Sequence, residues 1–508
     1  MGQEVELKLS LPETEQRRFL RSALLRQTSG RNTVRLLNIY YDTPDLALQC
    51  NDIALRLRKS GRRWLQTVKC AGTSTGGLSS RPEWEGPYSG QFNFDAIDDE
   101  ATRKRLERLK SRLVPIFETN FLRTTWQIRQ THKTRASGAA LIVALDRGTV
   151  IANGKSALLS EVEIELATGN VDQIFAFADQ LAQNFSLTPG LWSKAERGYR
   201  LFVGTPQAPA RARPIALDDS MTPTTAFREI ANACLNHLHQ NHQGGIHSTD
   251  AEYIHQMRVA SRRLLAALRL FKPVLPELLS EQLTPPLRAL MTTLGTARDL
   301  DVLIAEIVDP VVNTMPAEPR ITALKNVVAE RSKAARQNVV QTLNAPDYGR
   351  LLLLIMTKLH QLTDNADTNA QDSTLSLNSF INARLKHLRR KVVHLAQQAS
   401  KDEPASLHQL RIGAKRLRYA LEFFAPLLPT RQTVALIKQL TRLQNRLGQL
   451  NDLANAGALL MDCAGDEAHL REAVSLIGGW HGQRYAELQG GVLKALTRLH
   501  KLRVPKAG

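Results

Sequence analysis

Cysteine is scarce in this 508-residue sequence: Cys50, Cys70, Cys234 and Cys463 stand far apart and form no C-x-x-C pair. That spacing argues against a disulfide framework or a cysteine-based zinc site, and it suits a reducing, cytoplasmic compartment. Aromatic residues make up only 5%, which leaves few stacking platforms for single-stranded nucleic acid. Long apolar runs are missing too. The longest, at 351–356, is far below the roughly 20 residues of a membrane-spanning helix, so no membrane partner is expected. The N-terminus is charged within its first four residues and shows no apolar stretch of the secretory kind. A phosphate-cradling glycine loop is also lacking. Residues 72–77 read GTSTGG without the G-K-[ST] ending and are expected to form a plain hairpin loop.

Acidic residues are outnumbered, 48 Asp and Glu against 67 Lys and Arg, for a net charge of +19. Residues 1–203 carry about +7 and the remainder about +12. Such an excess calls for an anionic partner: nucleic acid, an acidic surface or a condensed phosphate. Nucleic acid is disfavoured, because no standard reader motif accompanies the charge.

The length predicts more than one domain. Residues 1–203 read mostly as strands, since Glu4-Val5-Glu6-Leu7-Lys8-Leu9, Ile53-Ala54-Leu55-Arg56-Leu57-Arg58 and Ser160-Glu161-Val162-Glu163-Ile164-Glu165-Leu166 alternate polar with apolar. Helical patterns interrupt them near 12–27, 95–112 and 170–184. Residues 204–222 are proline-rich and aperiodic, the signature of a linker. From 223 to about 500 the spacing is helical throughout.

The helical half contains a repeat. His255-Gln256-Met257-Arg258 with Arg262 and Arg263 recurs as His408-Gln409-Leu410-Arg411 with Lys415 and Arg416. Leu294-Gly295 with Asp299 recurs as Leu447-Gly448 with Asp452, and Phe227 matches Phe380. All these pairs are displaced by the same 153 positions, which implies two homologous helical halves.

Residues two apart on a strand share a face. Glu4, Glu6 and Lys8 therefore line one face, Arg56 and Arg58 another, and Glu161, Glu163 and Glu165 a third. Lys69, Arg81, Glu83, Glu85, Arg123, Asp146, and Lys194 with Arg197 continue the set. The opposite faces are apolar and supply a packing side. Segregation into carboxylate strands and cationic strands suits a site for an oligophosphate with a metal. Hard oxygen ligands take Mg²⁺ or Mn²⁺, while Arg and Lys hold the remaining phosphate oxygens.

In order, Glu4-x-Glu6-x-Lys8, Tyr40-Tyr41-Asp42-Thr43-Pro44, Arg56-x-Arg58, Lys69, Arg123, Asp146, Glu161-x-Glu163-x-Glu165 and Ser193-Lys194 resemble the CYTH superfamily, the triphosphate tunnel metalloenzymes. The resemblance implies a closed antiparallel barrel of about eight strands with charged side chains pointing inward. It also implies that Glu4, Glu6, Asp146, Glu163 and Glu165 ligate Mg²⁺ or Mn²⁺, with Glu161 an alternative to Glu163. Arg56, Arg58, Lys69, Arg123, Lys194 and Lys8 would hold phosphates.

The helical motifs resemble the CHAD domain, a module that often follows a CYTH domain. This implies two pseudo-symmetric bundles whose basic groove binds long-chain polyphosphate through His255, Arg258, Arg262, Arg263, His408, Arg411, Lys415 and Arg416. His237, His239 and His242 are expected to take solvent or interhelical polar roles, and Asp299 to orient basic side chains or cap a turn. The fused architecture favours hydrolysis of inorganic triphosphate. The same barrel also serves thiamine triphosphate hydrolysis or ATP cyclisation, and a non-catalytic polyphosphate-targeting protein is the reading from another class. In the favoured reading, removal of residues 220–508 spares hydrolysis.

Overall fold

Alternation along the first half becomes a sheet. Its strands are β1 (Gly2–Ser10), β2 (Arg31–Asp42), β3 (Ala54–Ser60), β4 (Arg63–Lys69), β5 (Thr73–Thr75), β6 (Leu78–Pro87), β7 (Val114–Gln130), β8 (Ala139–Ala152), β9 (Lys155–Thr168) and β10 (Thr188–Pro189). This is a computed structural model, and it describes residues 2–26, 30–70, 72–75, 78–130, 139–204, 208–362, 376–400, 403–499 and 502–508. Residues 76 and 77, in the expected hairpin loop, lie outside that set, as does the Glu4 side chain.

Every strand pairing is antiparallel, and β1 pairs with β9 on one edge and with β6 on the other. The ring β1-β9-β8-β7-β2-β3-β4-β6 therefore closes into an eight-stranded barrel, as expected, with β5 and β10 added at its margins. Asn153 and Gly154, both at positive φ, make the tight β8–β9 turn, the geometry that an Asn-Gly pair favours. In β8, a Cβ on Gly148 would meet the Asn120 carbonyl oxygen at 2.1 Å, so only glycine lets β7 and β8 lie this close.

The barrel is polar inside and apolar outside. Leu7, Leu9, Val162 and Ile164 are fully buried on the outer side, where α4 (Val171–Ala182) contacts β1 and β9. Leu55 and Val68 pack with Leu48, Phe94 and Leu106, the last from α3 (Glu100–Leu109). Two short helices, α1 (Gln16–Phe19) and α2 (Ala23–Arg26), occupy the first expected helical stretch. One helix is a correction. Lys194 and Arg197, grouped above with the strand faces, stand on α5 (Lys194–Val203). Ser193 caps it, accepting from Glu196 N–H at 3.2 Å, while Glu196 accepts from Ser193 N–H at 2.8 Å.

The remaining elements are helical: α6 (Pro223–Gln240), α7 (His242–His247), α8 (Ala251–Phe271), α9 (Glu277–Val302), α10 (Asp309–Thr314), α11 (Pro319–Asn344), α12 (Pro346–Gln361), α13 (Leu377–Gln398), α14 (Pro404–Phe423), α15 (Thr430–Ala464) and α16 (Ala468–Leu499). The 153-residue offset carries the range of α6 onto that of α13, α8 onto α14 and the start of α9 onto that of α15. Among the described residues no helix is long and apolar enough to cross a membrane.

The chain divides into two compact units, Met1–Ala208 with Asn344–Gln361, and Pro209–Leu343 with Leu362–Gly508. Helix α12 thus lies within the helical stretch of the sequence but belongs to the barrel unit. Its apolar run, 351–356, is largely buried, and it packs on α4 and β10. Gly349 permits the approach, since a Cβ there would sit 1.8 Å from the Leu187 carbonyl oxygen. Arg350 pairs with Asp179 at 3.4 Å.

Candidate active site

In-register pairing brings the inward-facing residues of neighbouring strands side by side. Lys8 lies opposite Glu163 and Glu6 opposite Glu165. Arg123 lies opposite Asp146, and Asp146 opposite Glu161. Arg56 is in register with Tyr40, and Lys69 with Glu83. The result is a cavity of about 930 Å³ inside the barrel, lined by Glu6, Lys8, Arg56, Arg58, Lys69, Arg123, Glu163, Glu165 and Lys194, together with Tyr40, Arg81, Glu83, Glu85, Phe121, Trp192 and Arg200.

One end of this interior is carboxylate. Asp146, Glu161 and Glu163 offer oxygen atoms within 4.8 Å of one another, the one such group among the described residues, and all three are buried. The expected ligand set named Glu163 and kept Glu161 as its alternative; both belong to the group. Asp146 is completely buried beneath the cavity lining. Arg123 holds it with two hydrogen bonds, Nε to Oδ1 at 2.8 Å and Nη2 to Oδ2 at 2.7 Å, and also contacts Glu163. Lys194 reaches in from the first residue of α5, with Nζ 2.7 Å from Asp146 and 2.8 Å from Glu163 and in contact with Glu161.

Charge balance differs from residue to residue. Burial, with Glu163 and Asp146 beside it, raises the Glu161 carboxyl above its ordinary value despite the opposing Lys194. Burial acts on Glu163 in the same sense, but Lys194, Arg123 and Lys8 outweigh it and hold this carboxyl well below the usual range. For Lys8, burial alone would lower the ammonium, yet Glu6, Glu163 and Glu161 keep it raised; its Nζ contacts Glu6.

The other wall is cationic. Arg56 approaches Glu83 at 3.4 Å, Lys69 approaches Glu83 at 2.9 Å, and Arg58 approaches Glu85 at 3.5 Å. Burial, then Arg56 and Arg123, push Arg58 down to about 10. The share of that shift due to Arg56 and Arg123 is one that a bound anion relieves. Arg56 Nε is buried and has no hydrogen-bond partner among the described residues. Glu83 and Glu85 lie on the cationic wall, paired with Arg56, Lys69 and Arg58.

Tyr40, Trp192 and Arg200 were not assigned roles from the sequence. Tyr40 belongs to a quoted motif, whereas Trp192 and Arg200 carry no pattern of their own; they reach the cavity through the turn into α5 and through α5 itself.

In the helical unit, His255, Arg258 and Arg262 share one face of α8, and His408, Arg411 and Lys415 the matching face of α14. The faces meet where Arg262 Nε donates to Tyr419 Oη at 2.8 Å. Gly295 and Gly448 are the seats of the equivalent arginines: a Cβ there would lie 3.6 Å from Arg258 Nε and 3.8 Å from Arg411 Nε. Asp299 pairs with Arg258 at 3.1 Å, the orienting role expected of it. Arg263 is placed differently, buried and paired with Glu422 at 2.8 Å. His237, His239 and His242 are all buried. His237 Nε2 is 3.1 Å from Gln256 Oε1, and His242 Nε2 is 3.3 Å from the Leu343 carbonyl oxygen.

Two family models match the chain, the CYTH domain over residues 2–199 and the CHAD domain over residues 229–461. The inorganic triphosphatase of Haemophilus influenzae is 33% identical over 212 residues, which are 40% of this chain and 55% of that protein. The chain thus spans about half the length of this curated relative. The crystal structure of the CHAD domain from the plant Ricinus communis aligns at 33% identity and a TM-score of 0.51, over 59% of this chain and 99% of that one. A Hippeastrum structure, described as an adenylyl cyclase candidate with dominant triphosphatase activity, aligns at 17% identity and a TM-score of 0.29, over 39% of this chain and 96% of its own.

Proposed function

This chain belongs to the CYTH family by its barrel and to the CHAD family by its helical unit, and we propose that it hydrolyses inorganic triphosphate to diphosphate and phosphate. The observation that carries the reading is one cavity lined by both charges, with Glu6, Glu163 and Glu165 on one side, backed by the buried Asp146 and Glu161, and Arg56, Arg58 and Lys69 on the other.

Asp146, Glu161 and Glu163 form a hard oxygen donor set that fits Mg²⁺ or Mn²⁺, and the in-register pair Glu6 and Glu165 extends it along β1 and β9. An ion bound there supplies charge neutralisation at the transferring phosphoryl group. Arg56, Arg58, Lys69 and Arg123 hold the phosphate oxygens, with Lys8 and Lys194 at the boundary between the two walls. A carboxylate orients the water for in-line attack on the terminal phosphorus, and the bond to the diphosphate leaving group breaks. Preorganised cations then stabilise charge on the transferring group at little reorganisation cost.

Engagement of the aromatic rings favours inorganic triphosphate over nucleoside or thiamine triphosphates. Arg200 lies 4.4 Å over Trp192, Lys194 lies 5.2 Å over Phe121, and Tyr40 stacks on Phe117 at 4.4 Å. The helical unit, in the same reading, binds long-chain polyphosphate across α8 and α14. A cytoplasmic setting accords with the four free cysteines.

The test is phosphate release from inorganic triphosphate, ATP and thiamine triphosphate with Mg²⁺ or Mn²⁺. Inorganic triphosphate is expected to be preferred by about tenfold or more in kcat/KM. Turnover unchanged in a Glu4→Ala/Glu6→Ala variant would refute the metal assignment, and equal turnover of thiamine triphosphate would refute the substrate.

A further inference from the structure

The two helical repeats assemble a cluster of cations that their own carboxylates leave uncompensated at one point. Lys415, on α14, is half-buried. The charges acting on it are Arg411 and Arg418 from its own helix and Arg258 and Arg262 from α8. The acidic groups of the surrounding helices are committed to the arginines. Asp299 from α9 pairs with Arg258 at 3.1 Å, and Asp452 from α15 acts on Arg411. Glu422 takes Arg418 at 2.7 Å and Arg263 at 2.8 Å. His408 Nδ1 is 2.9 Å from Asn451 Oδ1, and His255 stands one turn before Arg258. Among the described residues Lys415 has no carboxylate within 4.0 Å and no hydrogen-bond partner.

Four guanidiniums around one ammonium repel it, and burial adds to the cost of its charge. Arginine stays protonated under all ordinary conditions. Lysine is the member that gives way. Burial, then Arg262, Arg411 and Arg258, push Lys415 down to about 7. A polyanion laid over the same face reverses the local potential and favours the ammonium again.

We propose that Lys415 is a proton-coupled contact, taking a proton from solvent as a chain of phosphates binds across α8 and α14. The inference rests on the polyphosphate reading of the helical unit and adds a sign to it: affinity rises as pH falls from 9 to 7. The ordinary histidine value of about 6.5 lies below that window, and burial, then Arg298, lowers His255 further, which separates Lys415 from His255.

The experiment is calorimetric titration of the full-length protein with long-chain polyphosphate at pH 8, in two buffers of different ionisation enthalpy. Uptake of about one proton per site is expected, with affinity about tenfold or more tighter at pH 7 than at pH 9. Lys415→Arg is expected to bind with neither the uptake nor the pH dependence, and Lys415→Met to bind weakly at both pH values. Wild-type binding without proton uptake would overturn the proposal, and so would Lys415→Arg taking up the wild-type number of protons. Failure of the wild-type protein to bind at any pH would instead overturn the polyphosphate reading, and this inference with it.

Discussion

Asp146 shows how much one side chain can hold in place. It is completely buried and carries a bidentate Arg123 and the Lys194 ammonium. Removing one member of such a group strands the others without compensation, at about 3–5 kcal/mol. Asp146→Ala is accordingly expected to lower the stability of the barrel unit by that amount, measured as a shift in its urea midpoint. Glu165→Ala, on the cavity wall outside the buried group, is expected to cost less than about 1 kcal/mol. In the helical unit, burial holds His239 down to about 3 and His242 down to about 4. Unfolded, both titrate near 6.5, so the unfolded chain binds more protons below that value and stability falls with pH. The loss begins near pH 6.5 and reaches about 2.5 kcal/mol per histidine by pH 4.5. Urea-dependent amide exchange of α6 and α7 at the two pH values measures it, and His242→Gln is expected to remove part of the slope.

Helix α5 decides the geometry of the site at the level of the element. It has the capping signature Ser193-x-x-Glu196, so its start was legible, but its charged residues alternate poorly and were grouped with the strands. What places Lys194 is the packing of α5 on β7 and β8. Gly198 permits it, because a Cβ there would fall 2.0 Å from the Phe117 ring. Gly198→Ala is therefore expected to cost about 1–3 kcal/mol by overpacking and to raise the KM for triphosphate as Lys194 is displaced. Thermal unfolding and steady-state kinetics measure the two effects. Gly295 and Gly448 differ from Gly198, because a Cβ there would make only ordinary contact with Arg258 or Arg411, at 3.6 Å and 3.8 Å.

For the molecule as a whole, the informative element is α12. It belongs to the barrel unit although helices of the other unit flank it in sequence. A fragment ending at residue 208 would expose the face of α4 and β10 that α12 covers. The expectation that truncation simply spares hydrolysis therefore gains a condition: the fragment is predicted to melt about 5 °C or more below the barrel unit of the intact chain. Gly349→Leu in the full-length protein is expected to lower the same transition, because the larger side chain cannot fit against Leu187. Differential scanning calorimetry resolves both outcomes.

The period-2 charge alternation of β1, β3 and β9 determined, without any structure, that a polar face would oppose an apolar one, because a strand turns successive side chains to opposite sides. The 153-residue offset likewise determined a duplicated helical half. Both are local or self-referential patterns that a linear sequence carries in full. Which carboxylates meet was decided only by the register of a closed ring, which sets Asp146 directly opposite Glu161 and leaves Glu6 opposite Glu165. Lys194 reaches that group through a helix packed across the barrel, and α12 joins the barrel through an apolar run that the sequence alone assigned to the helical half. These are non-local contacts, and their energies come from burial against residues far away in sequence, which no spacing along the chain records.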